Sequence, residues 1–427
     1  MRLLATGPLR MLSPGLRQKV LERGGLEPEV ARDVGEIARA VRERGDAALR
    51  ELTERFDGAR LATLEVPRAE WSAALARLPR DVQEALRAAH ANVERFHRAL
   101  LPKPVEVEVA PGLRAGRRVL PLGRVGAYVP GGRAAYPSTV IMTATPAKVA
   151  GVREVVVATP PGKDGKVPDA TLAACAVAGV DRVFAVGGAQ AVFALAFGTD
   201  SIPRVDKIVG PGNAWVAAAK AAVAGLVAID SPAGPSEVLV LADEAADPEW
   251  IAREMLAQAE HDPRAACVAL VPTPALAAAV EKEMERALGP RRDVVEASLA
   301  RAGAVLVAQG EEARAFADAY APEHLVVLTR EPRATLDSLS NYGSAFLGPW
   351  SSVALGDYCT GPNHVLPTMG LARGFSGLSV DDFLRRPTHQ EASRDALRAL
   401  APVAETLAAL EGLPNHAAAL RARRERE

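Results

Sequence analysis

Val205-Asp206-Lys207-Ile208-Val209-Gly210-Pro211-Gly212-Asn213 is the stretch that decides the fold. A short β-branched run stops at a Gly-Pro-Gly turn, and an alanine-rich helical stretch follows. Working outward, the same cycle recurs. Glu154 to Ala158, Asp181 to Val186 and Leu226 to Ile229 read as strands of the same kind. Ser236 to Leu241 starts a second series, which continues with Ala266 to Val271, Ala304 to Val307, Leu325 to Leu328 and Ala345 to Leu347. Continuous apolar runs of this length mark strands covered on both faces, so the expected fold is α/β with parallel-rich sheets.

The flanks differ from this centre. Arg118 to Val129 alternates apolar and polar residues into Pro130-Gly131-Gly132, which predicts the strand and turn that open the first sheet. Upstream, Val30, Val34, Ile37 and Val41 recur at helical spacing, and a second helical run extends from Asp81 to Leu100. Downstream, Leu397, Leu400, Val403, Leu407 and Leu410 keep helical spacing over His389 to Leu410, with Pro402 expected to kink or divide the helix. Four regions are therefore expected: a helical N-terminal segment (1–110), a first Rossmann-like domain (111–234), a second (235–375) and a C-terminal helical tail (376–427). Two similar sheets leave a cleft, and ligands of open α/β folds sit at the carboxyl ends of strands. No fixed-period repeat suggests a solenoid.

Composition narrows the function. A 427-residue chain that is 49% hydrophobic can fill more than one core. Its net charge of -1 gives no electrostatic footprint for nucleic acid. The basic run Arg421 to Arg426 is broken by alanine and glutamate and reads as a solvated helix end. Gly7, Pro8, Ser13 and Pro14 interrupt the N-terminus before any signal-peptide core forms. The alanine-rich Val216 to Ile229 is too short and carries Lys220, so no membrane segment is expected. Three widely spaced cysteines, Cys175, Cys267 and Cys359, fit a reducing cytoplasm rather than a disulfide framework.

Four of the seven histidines lie in polar settings in the second half of the chain. Asp247-Pro248 predicts the start of a helix to about His261, placing Glu254, Gln258 and His261 on one face. Gln258 and His261 could share a metal, although Gln-x-x-His alone also suits a polar helix end. In Tyr320-Ala-Pro-Glu-His, proline forces an extended entry, so Glu323 and His324 stand at the mouth of a strand as a proton-transfer pair or a strand cap. Gly356 to His364 is dense in turn formers, as binding loops are, and offers Asp357 and His364 as ligands. Val209-Gly-Pro-Gly-Asn213 and Val186-Gly-Gly-Ala-Gln190 suit phosphate-binding turns. Trp215 replaces the third glycine of the usual fingerprint, and Asp230 stands where an acid would bind ribose. Cys359 in the polar loop leaves a thiol-dependent aldehyde oxidation open, and the same nitrogen and oxygen ligands leave open a zinc hydrolase or a metal-stabilised dimer without activity.

Together, Tyr128-Val-Pro-Gly-Gly, Gly188-Ala-Gln, Val209-Gly-Pro-Gly-Asn, Ala233-Gly-Pro-Ser-Glu, Gln258-Ala-Glu-His, Ala321-Pro-Glu-His, Gly361-Pro-Asn-His-Val-Leu-Pro-Thr and Glu411-Gly-Leu-Pro-Asn-His resemble the histidinol dehydrogenase family over nearly the whole chain. The resemblance implies a zinc-dependent, NAD-linked oxidation of histidinol to histidine through the aldehyde, the last two steps of histidine biosynthesis. It further implies a homodimer with a shared active site. In that pattern Gln258, His261, Asp357 and His416 are zinc ligands, with His416 lent by the partner's tail. Glu323 and His324 match the acid/base pair. Ser236, His364 and Glu411, with His324 and the zinc ligands, match the substrate contacts, and Tyr128, Gln190 and Asn213 match the positions that hold NAD.

Overall fold

The computed structural model describes residues 1–23, 28–131, 135–232 and 234–425. Gly132 of the expected turn, Ala233 of the Ala-Gly-Pro-Ser-Glu motif and Arg426 lie outside the described residues. The chain divides into two units: residues 1–100 with 123–383, and residues 101–122 with 384–427.

The larger unit holds two parallel sheets of the same strand order. The first runs, edge to edge, Arg182–Ala185, Glu154–Thr159, Arg124–Tyr128, Lys207–Val209 and Ala228–Ile229. The second runs Ala5–Pro8, Gly303–Val307, Ala266–Val271, Glu237–Ala242, His324–Leu328 and Ser344–Leu347. In each, the first strand of the cycle lies centrally, the next two build outward on one side, and the chain then crosses back to build on the other. That reversal is the switch point of a doubly wound sheet. It falls between Arg124–Tyr128 and Lys207–Val209 in the first sheet, and between Glu237–Ala242 and His324–Leu328 in the second.

The strands are buried on both faces, as their apolar runs require: all six residues of Glu237–Ala242 and of Ala266–Val271 are buried. Val30, Val34, Ile37 and Val41 of the helix Pro28–Arg44 join the first sheet's core beside Phe184, Phe193 and Leu195. Each such side chain contributes about 1.5–3 kcal/mol of burial, which is why the spacing was legible.

Several expectations are corrected. The segment 1–110 is not wholly helical: Ala5–Pro8 is an edge strand of the second sheet, and Val105–Ala110 is a strand of the smaller unit. The alternation Val105-Glu-Val-Glu-Val carried that signal, whereas a four-residue parallel edge strand has too little pattern to read. The strand expected over Arg118 to Val129 shrinks to Arg124–Tyr128. Gly123 interrupts it, its N–H taken by Asp206, and Leu120–Pro121 pairs with Leu384–Arg385 in the smaller unit. His389 lies in the strand Thr388–Ala392 rather than a helix. The helix Arg394–Leu410 begins at Ser393, whose hydroxyl accepts the Ala396 N–H, and continues through Pro402 undivided.

Candidate active site

The second sheet brings a buried carboxyl and a buried imidazole to the amino ends of its central strands. Glu323 and His324 lead into His324–Leu328, and Ser236 and Glu237 lead into the neighbouring Glu237–Ala242. The turn that delivers them is tight. Ala321 ends the preceding helix with φ 48, and a Cβ on Gly343 would meet the Glu323 carbonyl at 2.6 Å. The cleft expected at the strands' carboxyl ends is therefore not where these residues gather. At those carboxyl ends a separate pocket of about 410 Å³ is lined by Asp243 and Arg330 among others, and the Asp243 carboxylate accepts the Arg330 and Ala245 N–H groups at 2.6 and 2.8 Å.

Glu323 is buried and accepts two hydrogen bonds on Oε2, from Ser236 Oγ at 2.5 Å and from the Glu237 N–H at 2.7 Å. Burial outweighs those donors and raises its pKa well above the usual carboxylate range. His324 donates Nδ1–H to the Glu237 carbonyl at 3.2 Å, which fixes its tautomer and leaves Nε2 as a buried acceptor with no partner. Burial lowers its pKa to about 3, so the ring is neutral. A neutral imidazole with a free nitrogen is ready to take a proton.

Around that nitrogen lies a cavity of about 250 Å³, lined by His324, Phe346, Asp357, Asn363 and His364 among others. Asp357 Oδ1 is 3.7 Å from His324 Nε2, and its Oδ2 is 4.0 Å from His261 Nε2. Burial, with the Glu254 carboxylate nearby, raises the Asp357 pKa to about 6. The helix Pro248–Ala259 starts at Asp247, which accepts the Glu249 N–H, and it carries Glu254 and Gln258, with His261 just beyond its end. Gln258 is buried with neither amide atom partnered. Glu254 accepts the Val353 N–H at 3.2 Å and so steadies the short helix Val353–Tyr358 that bears Asp357. His364 is held by the Asp357 carbonyl at 2.8 Å and Thr139 Oγ1 at 3.3 Å, while Asn363 donates to the Met142 carbonyl. Cys359 does not line the cavity.

Among the described residues no group of three His, Cys, Asp or Glu side chains is gathered as a metal would need. The set present is an amide, an imidazole and a carboxylate: Gln258, His261 and Asp357. Gln258, three residues before His261 on the chain, is a buried amide with no partner, and amide, imidazole and carboxylate are nitrogen and oxygen donors of the kind zinc accepts, short of one ligand. Glu411 and His416 belong to the smaller unit, both exposed, one closing the helix Arg394–Leu410 and the other in the first turn of Pro414–Arg424.

A second pocket of about 600 Å³ lies at the carboxyl ends of the first sheet, lined by Tyr128, Gly188, Gln190 and Asn213 together with Asp57 and Phe56 from the N-terminal helices. Tyr128 Oη accepts the Gly188 N–H, and burial pushes its phenol up to about 12. Asn213 Oδ1 accepts the Trp215 and Val216 N–H groups and caps the helix Ala214–Val223. Gly210 has φ +116, and a Cβ there would meet the Tyr128 carbonyl at 2.1 Å, so the strand ends at this switch point can approach only through glycine. Asp230 is not free to bind ribose. It accepts the Gly210 and Ser231 N–H groups and pairs with the buried Lys220, which also donates to the Gly210 carbonyl.

The sequence reading assigned no role to Arg23, Glu237, Asn363 or Thr139. Glu237 and Asn363 stood inside quoted motifs, but nothing local marks Arg23 or Thr139, whose partners are 214 and 225 positions away.

Fold and site together define an α/β enzyme with a buried carboxyl and imidazole near other nitrogen- and oxygen-bearing side chains and a separate pocket at the switch point of its first sheet. Comparison with known proteins narrows this. The model of the histidinol dehydrogenase family matches residues 22–424. The histidinol dehydrogenase of Methanothermobacter thermautotrophicus is 50% identical over 414 residues, covering 95% of this chain and 96% of that protein. That of Parasynechococcus marenigrum is 48% identical over 400 residues, covering 93% and 92%. The crystal structure of histidinol dehydrogenase from Elizabethkingia anophelis superposes with a TM-score of 0.93 at 33% identity, covering 99% of this chain and 98% of that one. The chain belongs to the histidinol dehydrogenase family and is a dehydrogenase.

Proposed function

We propose that this protein oxidises histidinol to histidine in two successive steps through the aldehyde, with NAD as acceptor, in the last two steps of histidine biosynthesis. The observation that carries the reading is the unpartnered, neutral Nε2 of His324 beside a buried Glu323 that retains its proton affinity. An alcohol must lose its hydroxyl proton as hydride leaves carbon, and His324 Nε2 is the group to take it. The aldehyde must then add water. Glu323 accepts the proton of that water, and His324 takes the remaining hydroxyl proton of the diol. Ser236 Oγ donates to the Glu323 carboxyl, and His364, fixed by Asp357 and Thr139, forms part of the cavity wall against the substrate.

Gln258, His261 and Asp357 would hold a zinc ion with His416 of the partner subunit as the fourth ligand, and Tyr128, Gln190 and Asn213 would hold NAD. When bound, zinc supplies orientation of the substrate's imidazole and amine, and NAD supplies the hydride acceptor. Glu411 would contact substrate from the same tail. Support for a homodimer with a shared active site comes from surface left uncovered. In the smaller unit Leu400, Val403, Leu407 and Leu410 form an exposed apolar stripe, and Val105, Val107 and Val109 are exposed as well. Single exposed apolar residues are ordinary, but a stripe this long marks an interface. The free state of Cys175, Cys267 and Cys359 fits a cytoplasmic enzyme, and among the described residues no helix is long and apolar enough to cross a membrane.

The decisive measurement is stoichiometry. Incubation with histidinol and NAD should yield about two NADH per histidinol consumed, because each hydride carries two of the four electrons removed. A chelator should abolish turnover while leaving the far-UV circular dichroism intact. A ratio near one would sink the second oxidation, and chelator-resistant turnover would sink the metal.

A further inference from the structure

Ser236 accounts for only part of the polar cluster beneath Glu323. Arg23, from far upstream, reaches the same place. Its Nε and Nη2 donate to the two oxygens of Glu237, each at 2.7 Å, Nη2 donates to the Tyr320 carbonyl at 2.7 Å, and the guanidinium lies 3.4 Å from the Tyr320 ring centroid. Both partners are buried, with side-chain exposures of 3% and 1%. Such a bidentate pair is held in one geometry and survives burial because every charge is answered.

Glu237 in turn touches both proton-transfer residues. Its carboxylate accepts the Glu323 N–H, and its own N–H donates to the Glu323 carboxyl, a reciprocal pair across neighbouring strands. Its carbonyl accepts His324 Nδ1–H. Its carboxylate accepts the Met369 N–H as well. Among the described residues the only non-glycine residues with left-handed backbone are Ala321 and Met369, at φ 48 and 58, and they flank this network. Such conformations are strained and persist where surrounding contacts impose them.

Two buried carboxyls here share one nearby guanidinium, and Arg23 gives its fork to Glu237. The paired carboxylate of Glu237 lies against Glu323, in a medium that screens their mutual repulsion poorly. We propose that Arg23 and Glu237 are positioning residues of the dehydrogenase: Glu237 fixes the orientation of Glu323 and His324, and its charge, anchored by Arg23, sets how strongly Glu323 binds a proton taken from water. The inference rests on the reading of Glu323 as the base of the aldehyde step. The groups that face Glu323 are Ser236, Glu237 and His324, whose Nδ1 is 3.6 Å away, with Arg23, Tyr320 and Asp357 acting from further off.

The test follows aldehyde oxidation by the zinc-loaded enzyme as NADH formed over a pH series, with melting temperature measured alongside. Glu237→Gln removes the charge at constant shape. It should move the acidic limb of the profile about one pH unit lower and cut kcat about 10-fold with little change in KM for the aldehyde. Arg23→Met leaves Glu237 unpaired and should move the limb the other way. The double variant buries no uncompensated charge, folds where a single variant fails to, and should place its limb between those of Glu237→Gln and the parent. An unmoved limb in all three, or shifts of one sign in both single variants with activity following melting temperature, overturns the inference. Glu323→Gln serves as the control on the underlying reading. If it keeps aldehyde oxidation the base assignment fails, whereas loss there with unmoved limbs elsewhere refutes the Arg23–Glu237 network alone.

Discussion

The two sheets of the larger unit share a strand order and put opposite ends to use. In the first, the pocket opens at the carboxyl ends, where Gly210 lets the strand ends meet and Tyr128, Gln190 and Asn213 line the crevice. In the second, Asp243 bridges the carboxyl ends of the central strands beside a smaller pocket, and Glu323 and His324 gather at their amino ends. Each end has a physical logic. The carboxyl end at a switch point is open because the flanking helices diverge there, which suits an extended ligand. The amino end of the second sheet holds the buried carboxyls of Glu237 and Glu323 and the buried imidazole of His324, which suits the adjustment of proton affinities. Both regions rest on a buried ion pair: Lys220–Asp230 holds the Gly210 turn of the first, and Arg23–Glu237 underlies the second.

The sharpest way to test this division is to break each region alone. His324→Gln should cost both oxidations about 10²–10⁴-fold, and Glu323→Gln should cost the aldehyde step that much while sparing the alcohol step, as single-turnover kinetics on each substrate would show. Equal losses in both steps for Glu323→Gln would erase the distinction between the two residues. If sites are shared, mixing inactive Glu323→Gln with His416→Ala chains should restore activity to about a quarter of the parent through hybrid dimers that keep one intact site. Failure to complement would place each site within one chain.

The next effect in size belongs to the first region. Lys220→Met strands a buried Asp230 beneath the Gly210 turn and should destabilise the protein by about 3–5 kcal/mol, read by denaturant titration. In whatever enzyme remains folded, KM for NAD should rise more than KM for histidinol. The reverse order would mean that the turn does not serve the nucleotide pocket.

Smallest is a titration effect. Burial raises the Asp57 carboxyl in the first pocket to about 6, above its ordinary value near 4, and its Oδ2 has no partner. With the folded-state pKa above the unfolded one, its neutral form favours folding at low pH, and that contribution is lost as pH rises through about 6. Asp57→Asn should therefore stabilise the NAD-free protein at pH 8 by about 1 kcal/mol, allowing for solvent screening at this half-buried site, and lose that advantage at pH 4. A stability gain independent of pH would mean that another interaction is responsible.

How much of this was legible beforehand depended on how local each signal is. Strands such as Ala266–Val271 and the helix start at Asp247-Pro248 were readable because burial and capping are written in consecutive residues. The strand Val105–Ala110 shows itself only in its short alternation, and the edge strand Ala5–Pro8 carries almost no pattern of its own. Asp230 shows the opposite failure. Its spacing after Gly210 matched a ribose-binding acid, yet the side chain is consumed by Lys220 and two backbone N–H groups.

By itself the sequence determined the α/β class, the parallel strands and the family, because strand burial, turn chemistry and motifs each occupy a few adjacent residues. Only the tertiary structure decided that His324 lines a cavity at the amino end of its strand with Glu323 buried behind it, that burial keeps the imidazole neutral, and that Arg23 pairs with Glu237. Those outcomes depend on desolvation and on contacts between residues hundreds of positions apart, and no local pattern encodes the burial of a charge or the partner that answers it.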